Sequence, residues 1–348
     1  MTNLFILLLT VILLFMVGEV SLRIYHYFKY PGKVPEAVLE FHLDDRLGWR
    51  ATENYRFKGI LNDADMKPYH VEMETNQYGF RVFGNLNSPK KKIMVIGDSL
   101  TQASAVSNSK TYYGIINQTL PVEVFAYGCG GYGTLQEYLI LDEYVDMIKP
   151  DIIIWQFCTN DFINNDYELE LNSTRNNNGT RRPYLSSDGK IIYAVPTRYK
   201  TISFIREHVN PHSKLSAFIF KRVDRLLAHY TKDITVENDI ASQGADHPGF
   251  KRAARLTNKL MQMVRQRTPN TRIIVFCGDG GLPFYEEVKK ISAQNHMEFI
   301  DGIPQAIREA NKPGNTTYAE DKAHWNELGH KIVAEKISEY LTKSKIIN

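Results

Sequence analysis

From Lys92 onward, short continuous apolar runs alternate with longer amphipathic stretches, the pattern of buried parallel strands joined by helices. It predicts strands at residues 93–97, 122–126, 152–157, 272–277 and 297–300. Helices are predicted between and after them at 111–119, 134–148, 250–267, 283–295 and 327–341. Five such strands with crossover helices make a three-layer α/β/α sandwich around a five-stranded parallel sheet. Ligands in that architecture bind beyond the C-terminal ends of the strands.

The chain before that alternation is patterned differently. The run from Leu4 to Val17 is apolar except for one threonine, and Gly18, Glu19 and a partly apolar stretch over residues 20–30 follow it. A membrane span takes about 20 apolar residues, so this core is short. It reads as a cleaved signal peptide or an uncleaved anchor, and the missing small-x-small cleavage site favours the anchor. A buried soluble helix is the remaining reading. Arg23, Lys29 and Lys33 follow the run while only the α-amino group precedes it, so a literal positive-inside count keeps the body cytoplasmic. Export is nevertheless the expectation taken forward: a single-pass membrane protein with an extracytoplasmic body. Asn-x-Ser/Thr triplets at Asn117, Asn172, Asn178 and Asn315 bear on this only in a glycosylating pathway, and polar loops generate such triplets by chance.

Three regions result: an anchor at 1–30, a stalk and extension at 31–90, and a main domain at 91–345. The extension carries Pro31, Gly32 and Pro35, then Leu47-Gly-Trp-Arg50, a possible strand over 70–75, and Asn76-Gln-Tyr-Gly-Phe-Arg81. Its turn residues and short alternating runs suggest irregular structure packed on the main domain. Residues 162–248 interrupt the alternation with Asn-rich, charged and aromatic sequence, including Asn176-Asn-Asn-Gly179, Arg181-Arg-Pro-Tyr184 and Asp188-Gly-Lys190. An insertion of that length beside a sheet's active edge is a lid or substrate platform, or a surface excursion that covers the sheet. Its tyrosines Tyr184, Tyr193 and Tyr199 suit stacking on sugar rings or packing against the domain.

Composition narrows the function classes. At 348 residues, 43% apolar and 23% charged, the chain suits one large α/β domain with additions. The net charge of +3 is mild and no dense Lys/Arg run is interleaved with aromatics, which argues against a nucleic-acid partner. Cys129, Cys158 and Cys277 are odd in number and lie within or just after apolar strand-like runs, so they read as small core residues rather than a disulfide framework or zinc site. No cofactor is expected, and the oligomeric state is not legible.

Candidate chemistry sits at the strand ends. Gly97-Asp98-Ser99-Leu100 follows the first strand; alone it is a common turn. Gly128-Cys-Gly-Gly-Tyr-Gly133 follows the second strand and opens a helix, so its backbone can approach a ligand and offer unpaired N–H groups. The dinucleotide fingerprint would want its glycines after the first strand, and an acidic residue at the end of the next, and lacks both here. Thr159-Asn160-Asp161 follows the third strand and brings a side-chain amide to the same edge, either to stabilise an oxyanion or to cap a turn. Near the C-terminus, Asp321-x-x-His324 spaces a carboxylate to reach an imidazole Nδ1 and leave Nε2 free. A serine hydroxyl is a poor nucleophile until an imidazole takes its proton, and the imidazole needs a carboxylate to hold its tautomer. A metal at Asp321 and His324 would need further ligands, and no His-Glu-x-x-His or paired-Cys motif supplies them.

The order Gly-Asp-Ser, Gly, Asn, Asp-x-x-His resembles the SGNH hydrolase superfamily, the GDSL esterases and lipases, over residues 92–341. The resemblance implies Ser99 as nucleophile, the Ser99 N–H with Gly131 and Asn160 as oxyanion donors, and His324 as base oriented by Asp321. Two positions depart from the family pattern: Ala126 stands where an Asn usually precedes the glycine run, and Cys158 replaces the usual glycine of Gly-x-Asn-Asp. The apolar N-terminus and the Leu-Gly-Trp, Asn-x-x-Gly-Phe-Arg, Arg-Pro-Tyr and Asp-Gly-Lys segments resemble a membrane-anchored branch of that superfamily. The expectation is a serine esterase acting on acyl esters, acetyl among them, of a glycan or lipid. An O-acyltransferase for an envelope or exported polysaccharide is the alternative, and a non-catalytic glycan-binding protein on the same fold is a second.

Overall fold

The computed structural model describes residues 2–29, 40–197, 204–210, 212–230 and 235–347. Pro31, Gly32, Lys33 and Pro35 of the stalk, and Tyr199 of the insertion, lie outside the described residues.

The N-terminal run forms one helix, Thr2–Lys29, longer than its apolar core predicted because Val20, Leu22, Ile24 and the aromatic residues up to Phe28 continue it. Within Phe5–Phe28 an 18-residue window has a mean hydropathy of 2.6 and none of that window is buried, so the helix is long and apolar enough to cross a membrane, as an anchor or a signal sequence does. Two hairpins follow, β1 (Phe41–Asp44) with β2 (Gly48–Ala51) and β3 (Arg56–Asn62) with β4 (Pro68–Glu74), and then β5 (Val82–Phe83). The strand expected at 70–75 is β4, which starts two residues earlier.

The five expected strands are β6 (Lys91–Gly97), β7 (Val122–Gly128), β8 (Ile152–Phe157), β11 (Arg272–Cys277) and β12 (Glu298–Ile300). They are parallel, in the order β12-β11-β8-β6-β7. The sheet has a sixth strand as well: β5 pairs antiparallel with β7 through Val82–Ala126 and Phe83–Phe125, making the sheet mixed at that edge. Two residues of strand give too short a pattern to read from sequence.

Alternation along the strands explains the three layers. Met94, Ile96, Phe125, Tyr127, Ile153 and Trp155 point into a cluster with Leu135, Leu139, Leu260 and Val288. Those partners lie on the helices Thr134–Ile148, Pro248–Arg267 and Phe284–Gln294. Ile93, Val95, Val124, Ala126, Ile152 and Ile154 point the other way, toward Tyr112, Ile116, Ile307 and Val333. Those belong to Tyr112–Thr119, Glu327–Lys343 and Ile303–Ala310, the last a short helix that sequence reading missed. Both faces of each strand are covered, which is why the runs are continuously apolar.

The insertion departs from the sheet through the helices Asn160–Asn165 and Tyr167–Asn172 and a hairpin of β9 (Arg182–Leu185) and β10 (Ile191–Ala194). Helices Lys214–Tyr230 and Val236–Gln243 complete it.

Register decides where the functional loops emerge. Gly97 of β6 lies opposite Gly128 of β7, and Ile96 opposite Trp155 of β8, so three chain segments leave the sheet side by side. The two glycines are required by space: a Cβ on Gly128 would sit 2.5 Å from the Thr101 carbonyl carbon and against the Gln102 nitrogen, and one on Gly97 would overlap Gln156 Oε1 and Thr101 Oγ1. Because backbone atoms block it, Gly128→Ala should destabilise the fold by about 3 kcal/mol, the upper end of overpacking costs. Thermal unfolding of the detergent-solubilised protein measures this, and an unchanged midpoint would mean that the two turns can separate without cost.

Candidate active site

Ser99 begins a four-residue helix, Ser99–Gln102, whose N-cap is Asp98: its Oδ1 accepts the Leu100 N–H at 3.0 Å. Gln156 on the neighbouring β8 fixes this turn by accepting the Asp98 N–H at 3.2 Å and the Thr101 hydroxyl at 2.8 Å. Ser99 lines a cavity of about 840 Å³ whose wall also includes Gly130, Gly131, Asn160, Asp321 and His324. The structure thus brings all five sequence-predicted residues to one cavity.

Asp321 and His324 occupy a loop that turns back through Lys322, at φ +60°. The imidazole Nδ1 lies 2.6 Å from Asp321 Oδ2, while Oδ1 accepts the N–H groups of Ala323 and His324, each at 2.9 Å. Burial alone would raise the Asp321 carboxyl, but the His324 hydrogen bond and the two amides outweigh it and hold the group below the usual carboxylate range. The same hydrogen bond raises the His324 pKa above the ordinary imidazole value. The second histidine near the cavity, His330, is a core residue: it stacks on Tyr112 at 5.9 Å, and burial pushes its pKa down to about 3.

The oxyanion candidates are pre-positioned. Gly131 is at φ +75°, and a Cβ there would come within 2.6 Å of Asn178 Oδ1, so the position demands glycine. Among the described residues, neither the Ser99 nor the Gly131 N–H has an internal acceptor. Asn160 donates to Asn164 Oδ1 at 3.2 Å and only weakly, at 3.5 Å, toward Asp98 Oδ2. One amide hydrogen is therefore loosely held beside the cavity.

Residues that sequence reading did not assign support these loops. Trp49 Nε1 donates to the Gly130 carbonyl at 2.9 Å, and Gln102 Oε1 accepts the Gly130 N–H at 2.5 Å. Arg182 donates to the Gly131 carbonyl at 2.9 Å and pairs with the fully buried Glu170 at 3.0 Å, which also accepts the Tyr184 hydroxyl at 2.9 Å. Arg81 donates to the Gln102 carbonyl, to Ala103 O at 3.0 Å and to Val106 O at 2.7 Å. The β3–β4 hairpin holds the histidine loop through Glu320 N–H to Asn62 O at 3.1 Å and Ala64 N–H to Tyr318 O at 3.0 Å. Trp49, Arg81 and Arg182 lie in three of the segments that resemble the membrane-anchored branch, to which sequence reading gave no role in the site. Of the insertion's aromatics, Tyr184 packs, and Tyr193 lies under Arg181 at 4.3 Å with its hydroxyl on Arg46 O at 3.0 Å.

At the two departures, Ala126 faces the apolar layer and leaves no buried polar group. Cys158 is buried beneath the site, with Sγ 3.7 Å from Asp98 Oδ1 and its N–H donated to Asp161 Oδ2 at 2.8 Å. Burial pushes its thiol well up, so it is an inert neighbour rather than a nucleophile. Among the described residues no group of three or more His, Cys, Asp or Glu side chains is placed to hold a metal ion.

Removing Arg182 tests the support directly. Arg182→Ala leaves Glu170 buried without its cation and should cost about 3–5 kcal/mol in thermal or denaturant unfolding. Arg181→Ala, next door on the exposed side, should stay within about 0.5 kcal/mol of the parent.

The family profile described as GDSL-like Lipase/Acylhydrolase matches residues 93–337. Among solved structures the chain is similar to a member of the lipolytic protein G-D-S-L family from Veillonella parvula DSM 2008, with 14% identity, 73% of this chain and 99% of that chain covered, and a TM-score of 0.41. It is similar to the lipase/acylhydrolase from Enterococcus faecalis, with 14% identity, 73% and 96% covered, and a TM-score of 0.39. It is similar also to the family 3 carbohydrate esterase of Clostridium thermocellum, with 13% identity, 73% and 96% covered, and a TM-score of 0.38. No curated protein matches the chain.

Proposed function

Because the chain belongs to the GDSL-like lipase/acylhydrolase family, we propose that it is a membrane-anchored serine esterase that removes short acyl groups, acetyl among them, from a glycan or lipid. The observation that carries this reading is the Asp321–His324 pair, 2.6 Å apart, on the wall of the cavity that Ser99 opens into.

In this reading Ser99 Oγ attacks the ester carbonyl as His324 Nε2 takes its proton, and Asp321 holds Nδ1–H and the charge that forms on the ring. Negative charge developing on the carbonyl oxygen meets the Ser99 and Gly131 N–H groups and the Asn160 amide. Collapse of the tetrahedral species breaks the acyl–oxygen bond, and His324 returns its proton to the leaving alcohol. Water then attacks the acyl-enzyme by the same route and regenerates Ser99. The long apolar helix Thr2–Lys29 supports anchorage, with the body held beside the membrane.

Turnover of a short-chain aryl ester tests the assignment. Ser99→Ala should lower kcat by about 10⁴ or more, and a fluorophosphonate probe should label the parent but not this variant. Retained turnover in Ser99→Ala would sink it. With a labelled acyl donor and a glycan acceptor present, labelled free acid is expected; labelled glycan would identify an O-acyltransferase instead.

The pH dependence follows from the raised His324 pKa. A base works only when deprotonated, so kcat/KM should rise with pH through an inflection above the ordinary imidazole value of about 6.5. Asp321→Asn should move that inflection down, because the partner that favours the charged ring is gone. A rate flat from about pH 5 to 8 would exclude His324 as the base.

A further inference from the structure

The helix Lys214–Tyr230 lies against the N-terminal helix. Gly18 lets Leu215 approach: a Cβ there would meet Leu215 Cδ2 at 3.0 Å. Glu19 accepts the Lys214 and Leu215 N–H groups at 3.0 and 2.8 Å and the Ser213 hydroxyl at 2.9 Å, and Arg23 donates to His212 O at 3.1 Å. On the N-terminal helix the contact falls at Gly18, Glu19 and Arg23; the described side chains from Phe5 to Val17 are all exposed. The second helix therefore meets the first just past the apolar run Leu4–Val17.

Beyond that contact Phe218, Ile219, Val223 and Leu226 are 40%, 45%, 45% and 57% exposed. Ile219, Val223 and Leu226 follow the spacing of one helical face, with Phe218 beside them under the Arg222 guanidinium at 4.5 Å. The helix also carries Lys214, Lys221, Arg222 and Arg225 against the single acid Asp224. A helix with five charges does not belong in hydrocarbon, and four large apolar side chains do not favour water. An apolar face, a strongly basic sequence and a fixed position against the C-terminal half of a membrane-length helix together define an interfacial helix.

We propose that Lys214–Tyr230 lies in the bilayer interface beside the N-terminal helix, seating Phe218, Ile219, Val223 and Leu226 among the lipids of an anionic membrane. The proposal rests on the anchored reading above. It makes Glu19 the joint between span and interfacial helix, so that the insertion fixes how the body is held against the lipid surface. It also gives the helix Lys214–Tyr230 of the insertion a role that neither a lid nor a sheet cover would require.

The full-length protein in lipid nanodiscs provides the test. Cys129, Cys158 and Cys277 are buried, so a thiol-reactive fluorophore reports on one introduced cysteine at a time. Ile219→Cys, Val223→Cys and Leu226→Cys should each lose about twofold in emission when a nitroxide lies near the lipid headgroups. Lys190→Cys, on the exposed β9–β10 turn, should not change. Equal emission at all four positions would overturn the proposal. Leu13→Cys, read against a nitroxide deep in the acyl chains, separates the two readings. Quenching there without quenching at 219–226 leaves the anchor and removes the interfacial helix; the reverse removes the anchor and keeps the helix. Omitting phosphatidylglycerol from a mixture with phosphatidylcholine should weaken quenching at 219–226, and no change would contradict the anionic surface. The double variant Val223→Asp, Leu226→Asp should lose quenching at 219 yet hydrolyse a soluble aryl ester at the parent rate, since neither residue lines the cavity.

Discussion

The packing of Gly97 against its neighbours, and of Gly128 beside it, is the constraint on which the site depends. Parallel strands in this register deliver two turns to the same point, and the turns coexist only because neither glycine carries a side chain. Gln102 then reaches from the Ser99 helix to the Gly130 N–H, and Gln156 from β8 to the Asp98 turn. Ser99, Gly131 and Asn160 follow the ends of three adjoining strands within three residues, in turns tied down by backbone and buried amides.

Close-packed turns leave carbonyls that no ladder satisfies, and the accessory segments supply their partners. Trp49 comes from the extension to Gly130, Arg81 from the approach to β5 to Gln102, Ala103 and Val106, and Arg182 from the insertion to Gly131. A buried carbonyl without a donor costs about 1–3 kcal/mol, which sets the scale of what each contact prevents. Arg182 is itself buried, and Glu170 balances its charge. The extension and the first part of the insertion are thus structural parts of the site rather than attachments to it, and the β3–β4 hairpin does the same for the Asp321–His324 loop.

This division explains what could be read from the sequence. Strands buried on both faces produce apolar runs whose meaning is local, so β8 and β11 were placed to the residue, as was the helix Thr134–Ile148. The five candidate site residues were recognisable because each sits next to a strand end or in a short fixed spacing. β5 was missed because a two-residue edge strand exists only through its partner, and Ile303–Ala310 because eight residues give little more than two turns of pattern. Arg182, Glu170 and Gln156 were not assigned a role for a different reason. The partners that give them their role lie 12 to 58 residues away along the chain, and a buried Arg–Glu pair has the same one-dimensional appearance as a solvated one.

The carboxyl groups around the cavity show how environment assigns different behaviour to one chemical group. Asp98, Asp161 and Glu137 are fully buried, and burial pushes all three toward the neutral form, with Glu137 adding to the rise at Asp161. Asp321 is half-exposed and holds its charge through the imidazole and two amides. The group that keeps its negative charge is therefore the one bonded to His324, where an imidazolium would form. The groups driven toward neutrality lie at the Ser99 and Asn160 turns and behind them, where, in the proposed esterase reading, negative charge would oppose an oxyanion. In that reading, raising one set of acids while lowering another keeps base support and anion stabilisation from cancelling. Here the difference comes from depth: the strand-end turns carry their acids into the sheet, while the C-terminal loop holds Asp321 at the cavity wall.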